Sequence, residues 1–179
     1  MSVNLIGTNI FLRALEPEDL DYIYRTENDP AFALYGDQHP PYSRHLLKAY
    51  IDQAHQSIYQ TQQLRLVIHH KLTNQPIGLI DLFDFDSKNK RVALGILITE
   101  PSFRQQGLGR EAALLFIDYA FESLDCHQIY SLIAPANKAS IGLFSSLSFE
   151  EGAQLKGWWC NLRGEFQDML VYQKFRTKR

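Results

Sequence analysis

The chain has 179 residues, of which 45% are hydrophobic and 21% charged, a composition typical of soluble globular proteins rather than disordered or membrane ones. Its formal net charge of −2 provides no basic field for a polyanion, so nucleic acid is not an expected partner. Cys126 and Cys160 lie far apart and the six histidines lack metal-ligand spacing, so we expect neither a disulfide framework nor a metal site.

No segment of the sequence has the pattern of a targeting or membrane-spanning element. The first residues lack a cationic start followed by an apolar core, and no apolar run approaches about 20 residues. No linker, repeat or low-complexity tract divides the chain. We therefore expect a single cytoplasmic domain over residues 1–179, with no membrane partner.

The first half of the sequence predicts two helices followed by an antiparallel meander. Residues 9–15 favour a strand, and residues 17–27 a helix, because proline suits the first turn and the acidic residues after it favour the helix dipole. Ser43 can cap a second helix that runs to about residue 60. Strands are expected at residues 64–69, 77–85 and 91–99, and the apolar second half of the third indicates a central strand buried on both faces.

The spacing of apolar residues changes in the second half of the chain. Between residues 107 and 124, five apolar side chains recur at i, i+3, i+4, i+7 and i+8, which is one face of a helix. A strand at 127–134, a helix at 137–147 and a strand at 166–175 follow. This alternation requires parallel pairing somewhere. We therefore predict an α/β (α+β) fold with a mixed, mostly antiparallel sheet of six to seven strands and about four helices.

Residues 100–110 join the third predicted strand of the meander to the long amphipathic helix. Gly107 and Gly109 let the backbone approach a ligand closely. At a helix start several amide N–H groups lack intrahelical acceptors, and together with the helix dipole they form a site for phosphate or pyrophosphate. Arg104 and Arg110 flank this loop with positive charge. The loop lacks the lysine of a Walker motif and the third glycine of a dinucleotide fingerprint, which excludes those two classes.

Arg104, Gly107 and Gly109 fit the Q/R-x-x-G-x-G/A signature of the GNAT superfamily of N-acetyltransferases, which residues 9–175 also resemble in element order. The resemblance implies a GNAT fold and an acetyltransferase that uses acetyl-CoA as co-substrate, without a metal. The loop would hold the pyrophosphate, while a strand and a later asparagine contact the pantetheine arm. The implied cofactor-binding residues are Ile96, Ile98, Arg104, Gln105, Gln106, Gly107, Leu108, Gly109, Arg110 and Asn137. Asn137 fits equally well as the cap of the following helix.

Three further segments, residues 12–20, 77–81 and 163–168, resemble the spermidine and ribosomal-protein N-terminal acetyltransferase branch of this superfamily. That resemblance implies that the acceptor is a primary amine, carried by a polyamine-like small molecule or a protein N-terminus. The amine would attack the thioester directly in a ternary complex.

The sequence departs from the family at the usual acid–base positions. Family members often have a tyrosine on the fourth helix as the acid and a glutamate on the fourth strand, and Phe144 and Ala93 stand at the matching positions. Tyr130 and Ser145 carry protons, but no pattern places either at the sulfur. Asp81 matches an acidic position of the spermidine enzymes and is our candidate for base or amine anchor.

Strand alternation predicts that Asp81 shares a face with Phe83 and Phe85, and that Asp84 and Asp86 lie on the other face. Two alternative functions remain open. Phe144 and Ala93 suggest an acyl-CoA-binding module with little or no turnover, and the three aspartates are compatible with an aminoglycoside-type N-acetyltransferase. The pair Trp158–Trp159 fits core packing, a homodimer interface or the wall of an acceptor site. The sequence does not decide between these options.

Overall fold

A mixed sheet of seven strands forms the centre of this computed structural model, which describes residues 4–33, 40–161 and 164–177. The strands lie in the order β1-β2-β3-β4-β5-β7-β6, and only β4 and β5 are parallel neighbours. Their bounds are β1 (Ile10–Arg13), β2 (Leu64–His70), β3 (Gln75–Asp86), β4 (Arg91–Ile98), β5 (Gln128–Ile133), β6 (Glu150–Cys160) and β7 (Phe166–Phe175). The predicted mixed, mostly antiparallel sheet of six to seven strands is confirmed.

Helices cover both faces of the sheet. Among the described residues they are α1 (Leu20–Glu27), α2 (Pro30–Ala33), α3 (Arg44–Asp52), α4 (Ile58–Thr61), α5 (Leu108–Glu122) and α6 (Lys138–Ser146). Leu79 of β3 belongs to the buried cluster that contains Ile23 of α1 and Leu47 of α3. The next residue, Ile80, belongs to the cluster that contains Phe116 of α5. We call these two sides of the sheet the α1–α3 face and the α5 face.

The segment of residues 12–20 ties β1 to the first helix. Arg13 donates to both carboxylate oxygens of the buried Asp19, at 2.7 and 2.8 Å, and Glu16 N donates to Asp19 at 2.9 Å. Burial opposes the charge of Asp19, but these hydrogen bonds outweigh it and lower the pKa of Asp19. Pro17–Asp19 forms a 3-10 turn directly ahead of α1, so the helical segment begins where the proline predicts.

The predicted helix of residues 43–60 is wrong in its length. Ser43 does cap its start, since its side chain accepts from Leu46 N at 3.1 Å. However, α3 ends at Asp52, and Ser57 caps a separate short helix, α4, by accepting from Tyr59 N. The segment is divided because Ser57, with an extended backbone, caps a second helix. Sequence analysis did not recognise this second cap.

Sequence analysis missed β6, the strand at one edge of the sheet. Its residues are mostly exposed, and a polar sequence with Gly152 and Gly157 shows no alternation of apolar and polar side chains. Pairing with β7 rather than burial defines this strand. Trp158 on it is 60% exposed, so core packing is the wrong interpretation of that side chain. Arg163, in the segment between β6 and β7, lies outside the described residues.

A bulge near the end of β3 overturns one prediction about faces. Asp84 has a left-handed backbone with φ of 50°, and the register with β4 shifts between Phe83 and Asp86. The extra residue turns Phe85 to the α5 face, where its ring is buried among the core cluster. Asp81 therefore does not share a face with Phe85, because simple alternation fails at the bulge.

Candidate active site

The parallel strands β4 and β5 separate soon after they meet. They pair only from Arg91 to Ala93 on β4, and the remainder of β4 borders a gap. Residues Val92 to Leu94 are at most 1% exposed, whereas Gly95 to Ile98 are partly exposed. The predicted burial of the second half of this strand is therefore wrong: the first half is buried, and the second half opens to a ligand.

Two residues of β4 direct their peptide groups into this gap. Thr99 N donates to Ile77 O at 2.9 Å, so Thr99 and Ile77 form a hydrogen-bonded antiparallel pair with β3. Because such pairs alternate along an antiparallel ladder, the peptide groups of Ile98 and Ile96 point away from β3, towards β5. An extended ligand lying in the gap can pair with them as an additional strand would.

The loop after β4 leads directly into α5. A 3-10 turn at Pro101–Phe103 is followed by left-handed backbone at Gln105 and Gly107, with φ of 59° and 79°. The first intrahelical hydrogen bond joins Glu111 N to Gly107 O at 2.9 Å. The three preceding amides, from Leu108 to Arg110, therefore have no acceptor within the helix. They form an anion site at the positive end of the helix dipole.

The two glycines of the loop have different surroundings. A Cβ on Gly107 would meet no atom within 4 Å, so that side of the loop is open. A Cβ on Gly109 would lie 3.6 Å from Ile98 and 3.7 Å from Ile96, which is ordinary contact. The start of α5 thus rests against the same residues of β4 that face the gap, and the anion site and the gap are continuous.

The two flanking arginines bind carbonyl groups of the protein itself. Arg104 donates to Ile98 O at 3.0 Å and to Thr99 O at 3.3 Å, which closes the end of β4. Arg110 donates to Ser146 O at 3.5 Å and links α5 to α6. In this arrangement each guanidinium is partly engaged by the protein, whereas the amides from Leu108 to Arg110 have no acceptor within the helix and are left for an anion.

Asn137 caps α6. Its side-chain oxygen accepts from Ser140 N at 3.1 Å, so the capping interpretation of this residue is confirmed. Its place between β5 and α6 also sets it at the end of the strand that borders the gap. Contact with the pantetheine arm stays a prediction.

The phenylalanine at the usual acid position lies in the core. Phe144 is 2% exposed, and its ring packs edge-on against Phe149 with the centroids 5.0 Å apart. Ser145 beside it faces solvent. Phe144 therefore places no proton donor in the gap.

Tyr130 is a proton-bearing residue of β5 at the closed end of the gap, and its side chain lines a groove at the turn between β3 and β4, together with Asp84 and Asp86. It pairs with Ala93, the last β4 residue that pairs with β5. Burial raises the pKa of Tyr130, so its hydroxyl stays protonated at neutral pH, and it lies 3.5 Å from Asp84 Oδ2. Sequence analysis named this tyrosine without a position, which the strand register now supplies.

Asp81 lies opposite Gly95 on the α1–α3 face, in the half of β4 that borders the gap. Arg65 Nε donates to Asp81 Oδ1 at 2.6 Å, while Arg65 Nη1 donates to Glu27 at 2.5 Å. Each of these three side chains is at most 20% exposed. Sequence analysis missed Arg65 and Glu27, because nothing in their spacing along the chain signals the contact. The ring of Phe83 covers Gly95 from the same side.

An open groove of about 380 Å³ lies near the turn between β3 and β4, and both Asp84 and Asp86 line it. Asp86 is engaged by Asn89 at 2.7 Å and by Arg91 at 3.2 Å.

Within residues 4–33, 40–161 and 164–177, no group of three His, Cys, Asp or Glu side chains is arranged to hold a metal ion. No helix in the same ranges combines the length and apolarity needed to cross a membrane.

Comparisons with known proteins agree with this geometry. A family model described as an acetyltransferase (GNAT) domain matches residues 9–150. Spermidine N(1)-acetyltransferase of Escherichia coli K12 is 25% identical over 172 residues, covering 92% of this chain and 87% of that protein. A crystal structure of spermidine N-acetyltransferase from Vibrio cholerae with CoA and spermine has a TM-score of 0.82 at 24% identity, covering 93% and 95% of the two chains. Ribosomal-protein-S5-alanine acetyltransferase from Vibrio fischeri has a TM-score of 0.83 at 17% identity, covering 97% of each chain.

Proposed function

The chain belongs to the GNAT acetyltransferase family and is an acetyl-CoA-dependent N-acetyltransferase, and we propose that its acceptor is the primary amine of a polyamine-like small molecule. The observation that carries this is the continuity of the β4–β5 gap with the free amides at the start of α5. An extended thioester arm fits the gap, and a pyrophosphate fits the amides. The spermidine acetyltransferases among its relatives favour the polyamine class.

We assign the acetyl-CoA site to the gap and the loop. The peptide groups of β4 would pair with the pantetheine arm, the loop amides would hold the pyrophosphate, and the residue between β5 and α6 would contact the arm. The assigned residues are Ile96, Ile98, Arg104, Gln105, Gln106, Gly107, Leu108, Gly109, Arg110 and Asn137. Arg104 contributes by fixing the end of β4, and its charge and that of Arg110 add a favourable long-range field.

In the proposed reaction a neutral amine attacks the thioester carbonyl directly in a ternary complex. A backbone N–H of β4 that faces the gap can stabilise the oxyanion. Asp81, beside the gap, is the proposed catalytic residue that binds the acceptor, and the attacking nitrogen gives up its proton to water. Tyr130 is the candidate donor to the departing thiolate, for which its hydroxyl would have to leave Asp84. Alignment of two bound reactants lowers such barriers by about 7–11 kcal/mol in well-oriented cases, so the chemistry does not require the tyrosine that Phe144 replaces.

A second candidate is an acyl-CoA-binding module with little or no turnover. The burial of Phe144 favours it, because the usual acid position carries no proton and faces the core. Measurement of free-thiol release from acetyl-CoA separates the two functions, using spermidine, an aminoglycoside and an N-terminal peptide as acceptors. The proposed function requires release that depends on spermidine. Release with the aminoglycoside or the peptide alone would replace the acceptor, and tight CoA binding without any acceptor-dependent release would establish the binding module.

We also propose that residues 1–179 form one cytoplasmic acetyltransferase domain that self-associates. One sheet continues from β1 to β7, which supports a single domain. β6 is an edge strand that pairs only with β7 among the described residues, and Trp158 on it is 60% exposed, which supports contact with a second copy, such as a homodimer. Light scattering on the wild-type protein and on Trp158→Ser tests this, since a smaller mass for the variant is expected and a monomeric wild type would refute it.

A further inference from the structure

The most heavily connected charged cluster beside the gap consists of Glu27, Arg65 and Asp81, which we call the Arg65 cluster. Its guanidinium bridges α1 to β3, with Glu27 Oε1 at 2.5 Å and Asp81 Oδ1 at 2.6 Å. Two neutral neighbours complete it: Gln63 Nε2 lies 3.4 Å from Asp81 Oδ1, and the Tyr50 ring lies 5.7 Å from the guanidinium.

The cluster carries one more negative than positive charge. Burial opposes the charge of Arg65, but the two carboxylates outweigh it, and the pKa of Arg65 is raised above its ordinary value. Burial raises the pKa of Tyr50, so that side chain is neutral at pH 7. From β4 the residue facing Asp81 is Gly95, which brings no charge. Two carboxylates and one guanidinium therefore leave a net charge of about −1 in a partly desolvated position.

The two oxygens of Asp81 differ in their engagement. Oδ1 accepts from both Arg65 and Gln63, and within the described residues no hydrogen bond to Oδ2 is found. The side chain is 16% exposed, and its Cα lies opposite Gly95 at the gap. An ammonium group that reaches Oδ2 would complete the coordination of the carboxylate and neutralise the cluster.

We infer that Arg65 is a positioning residue that fixes Asp81 through Oδ1, so that Oδ2 anchors an ammonium group of the acceptor other than the attacking amine, while Glu27 supplies the excess negative charge. The inference rests on the proposed function and assigns Asp81 the role of anchor rather than base. Asp81 Oδ1 already accepts a charge-assisted hydrogen bond of 2.6 Å, and Oδ2 beside it can accept from an ammonium group without any proton transfer. An anionic anchor site also selects polyamines, which are cations, over neutral acceptors.

The test is steady-state kinetics with spermidine as acceptor and acetyl-CoA saturating. Asp81→Asn should raise KM for spermidine about 10- to 100-fold, the range for a lost hydrogen bond to a charged group, with kcat within about threefold. Arg65→Gln should also raise KM, Arg65→Lys should restore part of the loss, and Glu27→Gln should raise KM by less than Asp81→Asn. The double variant of Arg65→Gln and Asp81→Asn should lose no more than Asp81→Asn alone, because both act through one carboxylate.

Arg176→Gln is the matched control, because Arg176 also bridges two carboxylates, Asp125 at 2.6 Å and Glu122 at 3.5 Å, beyond the other end of β5. Additive losses in the double variant, or a fall in kcat with unchanged KM in Asp81→Asn, would overturn the inference. Thermal unfolding identifies variants that fail to fold, in which case Arg65→Lys and Glu27→Gln decide. If the wild type acetylates no amine, the proposed function fails, and calorimetric binding of spermidine in the presence of CoA tests the anchor alone. Equal spermidine affinity of wild type and Asp81→Asn would then refute it.

Discussion

The loop before α5 allows a test in which charge, bulk and backbone strain are separated. Gly107 has a φ of 79°, and a Cβ there would meet no protein atom within 4 Å. Gly107→Ala therefore introduces only strain, which costs roughly 1–2 kcal/mol for an L-residue in the left-handed region. Gly107→Asn adds a side-chain acceptor that can occupy the free amides of the first turn. Gly107→Asp introduces a side chain of similar size that also carries a negative charge.

The expected loss of CoA affinity grows along this series. Two unit charges about 4 Å apart repel by about 1 kcal/mol in water and about 4 kcal/mol at an effective dielectric of 20. A carboxylate facing two phosphate charges at this exposed loop should therefore cost at least about 2 kcal/mol, or roughly 30-fold in Kd, beyond the asparagine variant. Higher salt should shrink the difference between the Asp and Asn variants, because the site is open to solvent.

Calorimetric titration of CoA into each variant measures these differences. Gly164→Asp is the matched control, since Gly164 has a φ of 78°, equally open surroundings and a place before β7, away from the loop. It should bind CoA as the wild type does. If Gly107→Asp bound CoA within about threefold of the wild type, or if the asparagine variant lost as much as the aspartate variant, the assignment of the pyrophosphate to this loop by charge would be refuted.

Three further predictions concern buried or proton-bearing groups. Phe144→Tyr should lower the free energy of unfolding by about 1–3 kcal/mol, because it buries a hydroxyl in the apolar cluster; denaturant unfolding measures this change. Steady-state kinetics should show no increase in kcat for the same variant. Tyr130→Phe should lower kcat about 100-fold or more if the hydroxyl protonates the thiolate, with CoA affinity unchanged, and an unaltered kcat would remove it from the mechanism. Because the pKa of Asp19 is lowered in the folded state, its contribution to stability is present above the ordinary Asp range and disappears as the pH falls through the folded-state value; Asp19→Asn should flatten that acid dependence in thermal unfolding.

The fold was predictable wherever local chemistry determines it. Ser43 and Pro17 mark helix starts that the structure confirms. After residue 99 the spacing of apolar residues changes from every second residue to the period of 3.6 typical of a helix, and this change predicts the parallel pair of β4 and β5. The errors occur where tertiary context decides. β6 exists through pairing with β7, and the left-handed residue Asp84 turns Phe85 to the other face without any signal in the alternation.

The candidate site divides in the same way. The anion loop could be predicted because it depends on a contiguous segment with Gly107 and Gly109, and on a helix start. The Arg65 cluster could not, because it joins α1, β2 and β3 from residues up to 54 positions apart, counted from Glu27 to Asp81. Strand alternation gives the face of each residue, but which charges meet depends on how α1 packs over the sheet.

The two departures from the family pattern concern proton transfer, and the strand register offers a common explanation for them. A tyrosine on α6 would approach the gap from the α5 face, and Phe144 at that position is part of the core. Tyr130 instead shares its face with Ala93, its partner across the parallel pair, and this is the α1–α3 face on which the Arg65 cluster lies. Ala93 is 1% exposed, so a glutamate there would force a longer, charged side chain against that ring. Amine binding and proton donation would then both take place on the α1–α3 face, with the cofactor loop on the side of α5. Restoration of a glutamate by Ala93→Glu should therefore reduce turnover with spermidine rather than improve it, and an increase in kcat would show that Tyr130 is not the donor.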